Sequence, residues 1–115
     1  MKRVLIVEDE PLVALEIEQA VAHAGCLVAC KVHTLNSALS TLDEETFDAV
    51  ILDANLRGES AAPIVEKLRE LNIRYLIVSG YTRGQLDFLT DSDPILGKPF
   101  HTNKLEAAIS SIIEH

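Results

Sequence analysis

Short, unbroken apolar runs recur along the chain, at Val4-Leu5-Ile6-Val7, Leu27-Val28-Ala29-Cys30, Ala49-Val50-Ile51-Leu52, Tyr75-Leu76-Ile77-Val78 and Ile95-Leu96. None alternates apolar with polar, as a strand wetted on one side does, so each reads as a strand buried on both faces. Between the runs the apolar positions change to helical spacing, at Val13/Ile17/Ala20/Ala24, Leu35/Ala38/Leu39/Leu42 and Ile64/Val65/Leu68/Leu71. The same spacing returns after the last run, at Leu105/Ala108/Ile109/Ile112. Such stripes belong to helices lying on a sheet.

Punctuation agrees. Pro11 suits a first helical turn, Gly25 a helix end, and Ser60 an N-cap with Pro63 still inside the first turn. The pattern weakens between Ser79 and Pro94, where Leu86 and Leu89 are the one helical pair and Asp91-Ser92-Asp93-Pro94 breaks any helix. A fourth helix should therefore be short or irregular. Strands alternating with helices predict an α/β fold: a doubly wound, five-stranded parallel sheet with right-handed crossovers, in the flavodoxin-like order 2-1-3-4-5.

The 115 residues are expected to form one domain, 1–115, with no separate output domain. The formal net charge of −8 has the wrong sign for a nucleic-acid binder or a ligand of anionic membranes. No apolar run approaches the length of a membrane span, and a cytoplasmic location is expected. On a strand Cys26 and Cys30 would stand about 13 Å apart, too far for a disulfide, so both read as buried free thiols. The histidines at 23, 33, 101 and 115 show no metal-ligand spacing.

In a parallel sheet all strand C-termini lie on one edge, so residues just beyond the runs converge although distant in sequence. The first strand ends in Glu8-Asp9, the third in Asp53, the fourth in Ser79, and the fifth runs through Gly97 into Lys98-Pro99. The second contributes no obvious chemistry. In the order 2-1-3-4-5 the ligand crevice lies between strands 1 and 3, where Asp9 meets Asp53. Three carboxylates pressed together stay ionised only beside a cation, and Mg²⁺ accepts such oxygen ligands together with water and phosphate. Lys98 and the Ser79 hydroxyl complete a set able to hold a phosphoryl group while an Asp53 carboxylate oxygen attacks it.

Singly, each residue has a structural reading: Asp9 as a cap for the first helix, Asp53 and Ser79 as turn residues, Lys98 as a solvated charge. The conjunction of acid pair, acid, hydroxyl and lysine at four strand ends favours chemistry.

These residues, with Pro99-Phe100, make the chain resemble the receiver domain of two-component response regulators over essentially its whole length. The resemblance implies that Asp53 accepts a phosphoryl group from the phosphohistidine of a histidine kinase or histidine phosphotransfer protein. It further implies that Glu8, Asp9, Asp53 and the backbone carbonyl of Asn55 hold Mg²⁺, and that Ser79 and Lys98 bind the acyl phosphate and relay the switch; Glu8, one methylene longer than the Asp often found there, is expected to act mainly through water. The output would be a downstream protein partner, or a role as phosphate relay or sink. The segments Leu52 to Glu59 and Ser79-Gly80-Tyr81, with a reduced fourth helix, are similar to the alphaproteobacterial single-domain FAT GUY group. Leu56-Arg57 stands where the family commonly has Met-Pro, Gly80 where it has Ala, and Ile95 where it has a switch aromatic. Tyr81, two residues past Ser79, is the nearest candidate to replace that ring, with the loop from Gly80 to Asp93 as output surface.

Three other readings compete. A haloacid-dehalogenase-like phosphatase also uses an Asp nucleophile, but it looks for a second Asp two residues on, where this chain has Asn55. A phosphorylation-independent interaction module would not need Asp53. A nucleotide-binding flavodoxin-like protein would need the Gly-rich phosphate loop that is missing after the first strand.

Overall fold

Neighbouring residues of the central strands serve two different cores. The structure, a computed structural model, describes residues 1–114, and His115 lies outside them. In β1 (Arg3–Val7) Val4 and Ile6 face one cluster while Leu5 and Val7 face the other; in β3 (Ala49–Asp53) Ala49 and Ile51 part from Val50 and Leu52 in the same way. This is the period of two expected of a strand covered on both sides, and it explains why the runs in sequence are unbroken.

The sheet adds β2 (Leu27–Val32), β6 (Arg74–Ser79) and β7 (Ile95–Gly97) in the order β2-β1-β3-β6-β7, every neighbouring pair parallel. A short antiparallel hairpin, β4 (Asn55–Leu56) and β5 (Glu59–Ser60), stands outside it, so the sheet has the expected order 2-1-3-4-5. Helices α1 (Pro11–His23) and α4 (Thr102–Ile113) cover one face, through Ile17, Val21, Leu105 and Ile109. On the other lie α2 (Leu35–Glu44) and α3 (Ala62–Glu70), through Ala38, Leu42, Ile64 and Leu68. Each fully buried Leu or Ile contributes about 1.5–3 kcal/mol.

Three expectations are corrected, for the edge strands, for Cys30 and for the cap of α3. The β2 and β7 strands are at most half-buried, because each is a sheet edge with one neighbour; Cys30 is accordingly half-buried, although both cysteines are free. The N-cap of α3 is Ala61, since Ser60 pairs with Asn55 in the hairpin; its Oγ still accepts from the Ala62 N–H at 3.1 Å. The fourth helix is short, as expected, a single 3₁₀ turn at Arg83–Gln85.

That loop is ordered by a residue expected merely to break a helix. Asp93 is 3% exposed and accepts from the Thr90 N–H at 2.7 Å, from Arg69 Nη2 at 2.5 Å and from the Tyr75 hydroxyl. Burial alone would raise its pKa, but these donors outweigh it and hold the carboxyl below its ordinary value. Leu86, Phe88 and Leu89 then pack on the core in place of a helical stripe.

Candidate functional site

The ladder places the site. Val7 pairs with Leu52, and Asp53 with Val78, so the next residues of β1, β3 and β6 emerge side by side. The Lys98 N–H donates to the Ser79 carbonyl at 2.7 Å and brings the end of β7 to the same edge, just before a cis Lys98–Pro99 bond. The carboxylates of Glu8, Asp9, Glu10 and Asp53 offer ligand atoms within 4.8 Å of one another. The Lys98 Nζ lies 2.9 Å from Asp53 Oδ2, 3.0 Å from Glu8 Oε1 and 3.2 Å from Glu10 Oε1.

Of these groups Glu8 is the most hidden, fully buried beneath the others. Burial pushes its carboxyl up to about 7 against the pull of the Glu10 N–H, which donates to Oε2 at 3.1 Å; the Asp53 charge adds to the rise and Lys98 opposes it. For Lys98 burial would lower the pKa, but the hydrogen bond to Asp53 and the proximity of Glu8 outweigh it and hold the ammonium above its ordinary value. Glu8 Oε1 is buried without a hydrogen-bond partner, as its approach to Lys98 lacks hydrogen-bond alignment. One ammonium cannot neutralise four carboxylates. The excess of acid, with Glu8 Oε1 ion-paired to Lys98 but accepting no hydrogen bond, fits a hard divalent cation with oxygen ligands.

Asp9, Glu10, Asp53, Asn55, Arg57, Gly80, Tyr81 and Lys98 line an open cavity of about 380 Å³. Asn55 is fixed at both ends, its N–H donating to Asp53 Oδ1 at 3.1 Å and its Oδ1 accepting from the Gly58 N–H at 2.9 Å. An amide so placed cannot act as the acid/base of a phosphatase. Ser79 is set apart from this cavity. Buried at the end of β6, its Oγ accepts from the Tyr81 N–H at 2.9 Å, and it lines an adjoining cavity with Gly80, Tyr81, Ile95 and Lys98. Tyr81 is half exposed and lines both cavities, as well as a third bounded by Ala54, Asn55 and Leu86.

The sequence reading overlooked three neighbours. Glu10 is a fourth carboxylate, and its signal was the unbroken acidic run Glu8-Asp9-Glu10. The main-chain N–H of Arg57 donates to Asp9 Oδ2 at 3.2 Å. His33, just past β2, places Nδ1 3.0 Å from the Glu8 carbonyl, so the second strand also reaches the site.

Residues 4–110 match the response regulator receiver domain. The chain is 27% identical over 114 residues to the sensory transduction protein LytR of Staphylococcus haemolyticus, covering 96% of this chain and 44% of that protein. It spans about half the length of the curated relatives it matches. Among solved structures, the response regulator PhyR from Brucella abortus superposes with a TM-score of 0.84 at 29% identity, over 98% of this chain and 48% of PhyR. SdrG from Sphingomonas melonis gives 0.78 at 32% identity, over 98% of this chain and 97% of SdrG.

Proposed function

Since the chain belongs to the response regulator receiver domain family, a family of phosphoacceptor signalling domains, we propose that Asp53 is its phosphoacceptor and that phosphorylation changes which proteins it binds. The observation that carries this reading is the Asp53 carboxylate, buried against Lys98 at the floor of a cavity walled by further carboxylates.

In the reaction an Asp53 carboxylate oxygen attacks phosphorus. The O–P bond forms as the P–N bond to the donor histidine breaks, and the imidazole leaves with the electron pair and takes a proton from solvent. Lys98 turns from the carboxylate to the transferred oxygens, and Ser79, whose oxygen still accepts from the Tyr81 N–H, donates its hydroxyl proton to them. A Mg²⁺ ion held by Asp9, Asp53 and the Asn55 carbonyl, with Glu8 through water, would neutralise the charge gathered on donor and acceptor. The phosphoryl source on this reading is a histidine kinase or histidine phosphotransfer protein.

The report to a partner runs through Tyr81. Ile95 has no polar tip or ring to swing, whereas the Tyr81 N–H is tied to the Ser79 hydroxyl that the phosphoryl group would recruit. A pull on Ser79 therefore moves the start of the Gly80 to Asp93 loop, whose far end is held by Asp93. The test is transfer of label from a phosphorylated kinase domain to the chain, and its loss in Asp53→Asn.

A further inference from the structure

We propose that Arg57 is a positioning residue for the incoming phosphoryl donor, which rests on the reading of Asp53 as phosphoacceptor. Arg57 and Gly58 form the tip of the β4–β5 hairpin with φ of 53° and 86°. Such two-residue turns favour Asn and Gly, and an ordinary side chain in this left-handed region costs about 1–2 kcal/mol. The bond from the Arg57 N–H to Asp9 does not explain the choice, since any residue but proline has that N–H.

The side chain is also uncommitted. The guanidinium of Arg57 makes no hydrogen bond or ion pair among the described residues, whereas those of Arg3, Arg69, Arg74 and Arg83 all do. Arg57 and Lys98 are the cations lining the cavity, and Lys98 is already shared among three carboxylates. A phosphoryl donor arrives as an anion at a cavity walled by acids in a chain of net charge −8, so its approach is opposed. Arg57 meets it at the mouth with a free fork of N–H donors suited to phosphoryl oxygens. With acetyl phosphate the balance is simple: the O–P bond to Asp53 forms, the P–O bond to acetate breaks, and acetate leaves with the electron pair. Arg57 acts before that step, on capture and orientation.

The experiment follows phosphorylation of the full chain by intact mass, with Mg²⁺ and varied acetyl phosphate or phosphoramidate, for wild type, Arg57→Gln, Arg57→Lys and Asp53→Asn. Arg57→Gln keeps the backbone N–H to Asp9 and should lower the second-order rate constant about three- to tenfold at low salt, through weaker donor saturation rather than a lower maximal rate. Arg57→Lys should recover most of the loss, and the deficit should shrink at about 0.5 M salt. Thermal stability and Mg²⁺ affinity of Arg57→Gln should stay at wild-type values or, for Mg²⁺, rise. An undiminished rate in Arg57→Gln, with Asp53→Asn unlabelled, overturns the proposal alone. Labelling retained in Asp53→Asn overturns the phosphoacceptor reading and this proposal with it.

Discussion

Lys98 Nζ donates to Asp53 Oδ2 at 2.9 Å, so the carboxylate proposed to attack phosphorus is already paired with the ammonium proposed to receive the product's charge. The same ammonium faces Glu8 and Glu10 and is the sole cation in contact with the acidic cluster among the described residues. Lys98→Ala should therefore leave the cluster less neutralised. Mg²⁺ should bind more tightly to the variant, while phosphorylation from acetyl phosphate slows by about tenfold or more. Thermal-shift titration with Mg²⁺ and intact-mass kinetics read the two effects. An unchanged rate would remove Lys98 from the machinery.

Asp9 and Glu8 are expected to differ in how they serve the cation. Asp9 lines the cavity directly, whereas Glu8 is buried behind it and one methylene longer than Asp. Asp9→Ala should abolish Mg²⁺-dependent phosphorylation, and Glu8→Asp should preserve it. Equal Mg²⁺ affinity in Asp9→Ala and wild type would refute the assignment.

The buried Glu8 makes metal-free stability depend on pH. Its carboxyl titrates near 4.5 in an unfolded chain and near 7 in the folded one. Below the lower value both states hold the proton and there is no penalty. As pH rises from 4.5 towards 7 the unfolded chain releases the proton first, so stability falls across that window and stays lower above it. The full loss is about 3 kcal/mol for a shift of this size. Denaturant unfolding of metal-free wild type and Glu8→Gln should show the wild type losing stability relative to the variant between those pH values, and Mg²⁺ should reverse the loss. Parallel pH profiles for the two proteins would contradict this.

The sheet order was legible in the alternation of strands with helices, the reduced fourth helix in the weak apolar stripe between Ser79 and Pro94, and the meeting of Glu8, Asp9, Asp53 and Lys98 in the strand ends that a parallel sheet brings to one edge. What escaped depends on side-chain geometry that periodicity does not carry. Asp93 sits in a run of turn residues, and its burial comes from Arg69 and Tyr75, which are distant in sequence. Glu10 reads as a solvated charge before Pro11 until the fold brings Lys98 to it. The hairpin Asn55 to Ser60 is too short for a strand pattern, and it displaces the cap expected at Ser60. The exposed edges β2 and β7 look in sequence like the interior strands because apolar content reports packing against helices, not the number of strand neighbours.

Tyr81→Ala distinguishes a switch from a shield. With Tyr81 lining both the acidic cavity at Asp53 and the adjoining one beside Ile95, loss of its ring should leave phosphorylation intact and weaken phosphate-dependent binding of a partner. Partner capture by the wild type and variant, each phosphorylated to the same extent, measures this. Unchanged affinity with only an altered dephosphorylation rate would assign the ring to shielding the acyl phosphate from water.

Intact-mass measurement after incubation with Mg²⁺ and acetyl phosphate, on wild type and on Asp53→Asn, tests the central claim most directly. The account predicts addition of one phosphoryl group to the wild type, its loss when Mg²⁺ is chelated beforehand, its release by hydroxylamine as an acyl phosphate, and no addition to Asp53→Asn. Equal modification of Asp53→Asn, or a wild type that stays unmodified with Mg²⁺ and donor in excess, would contradict it.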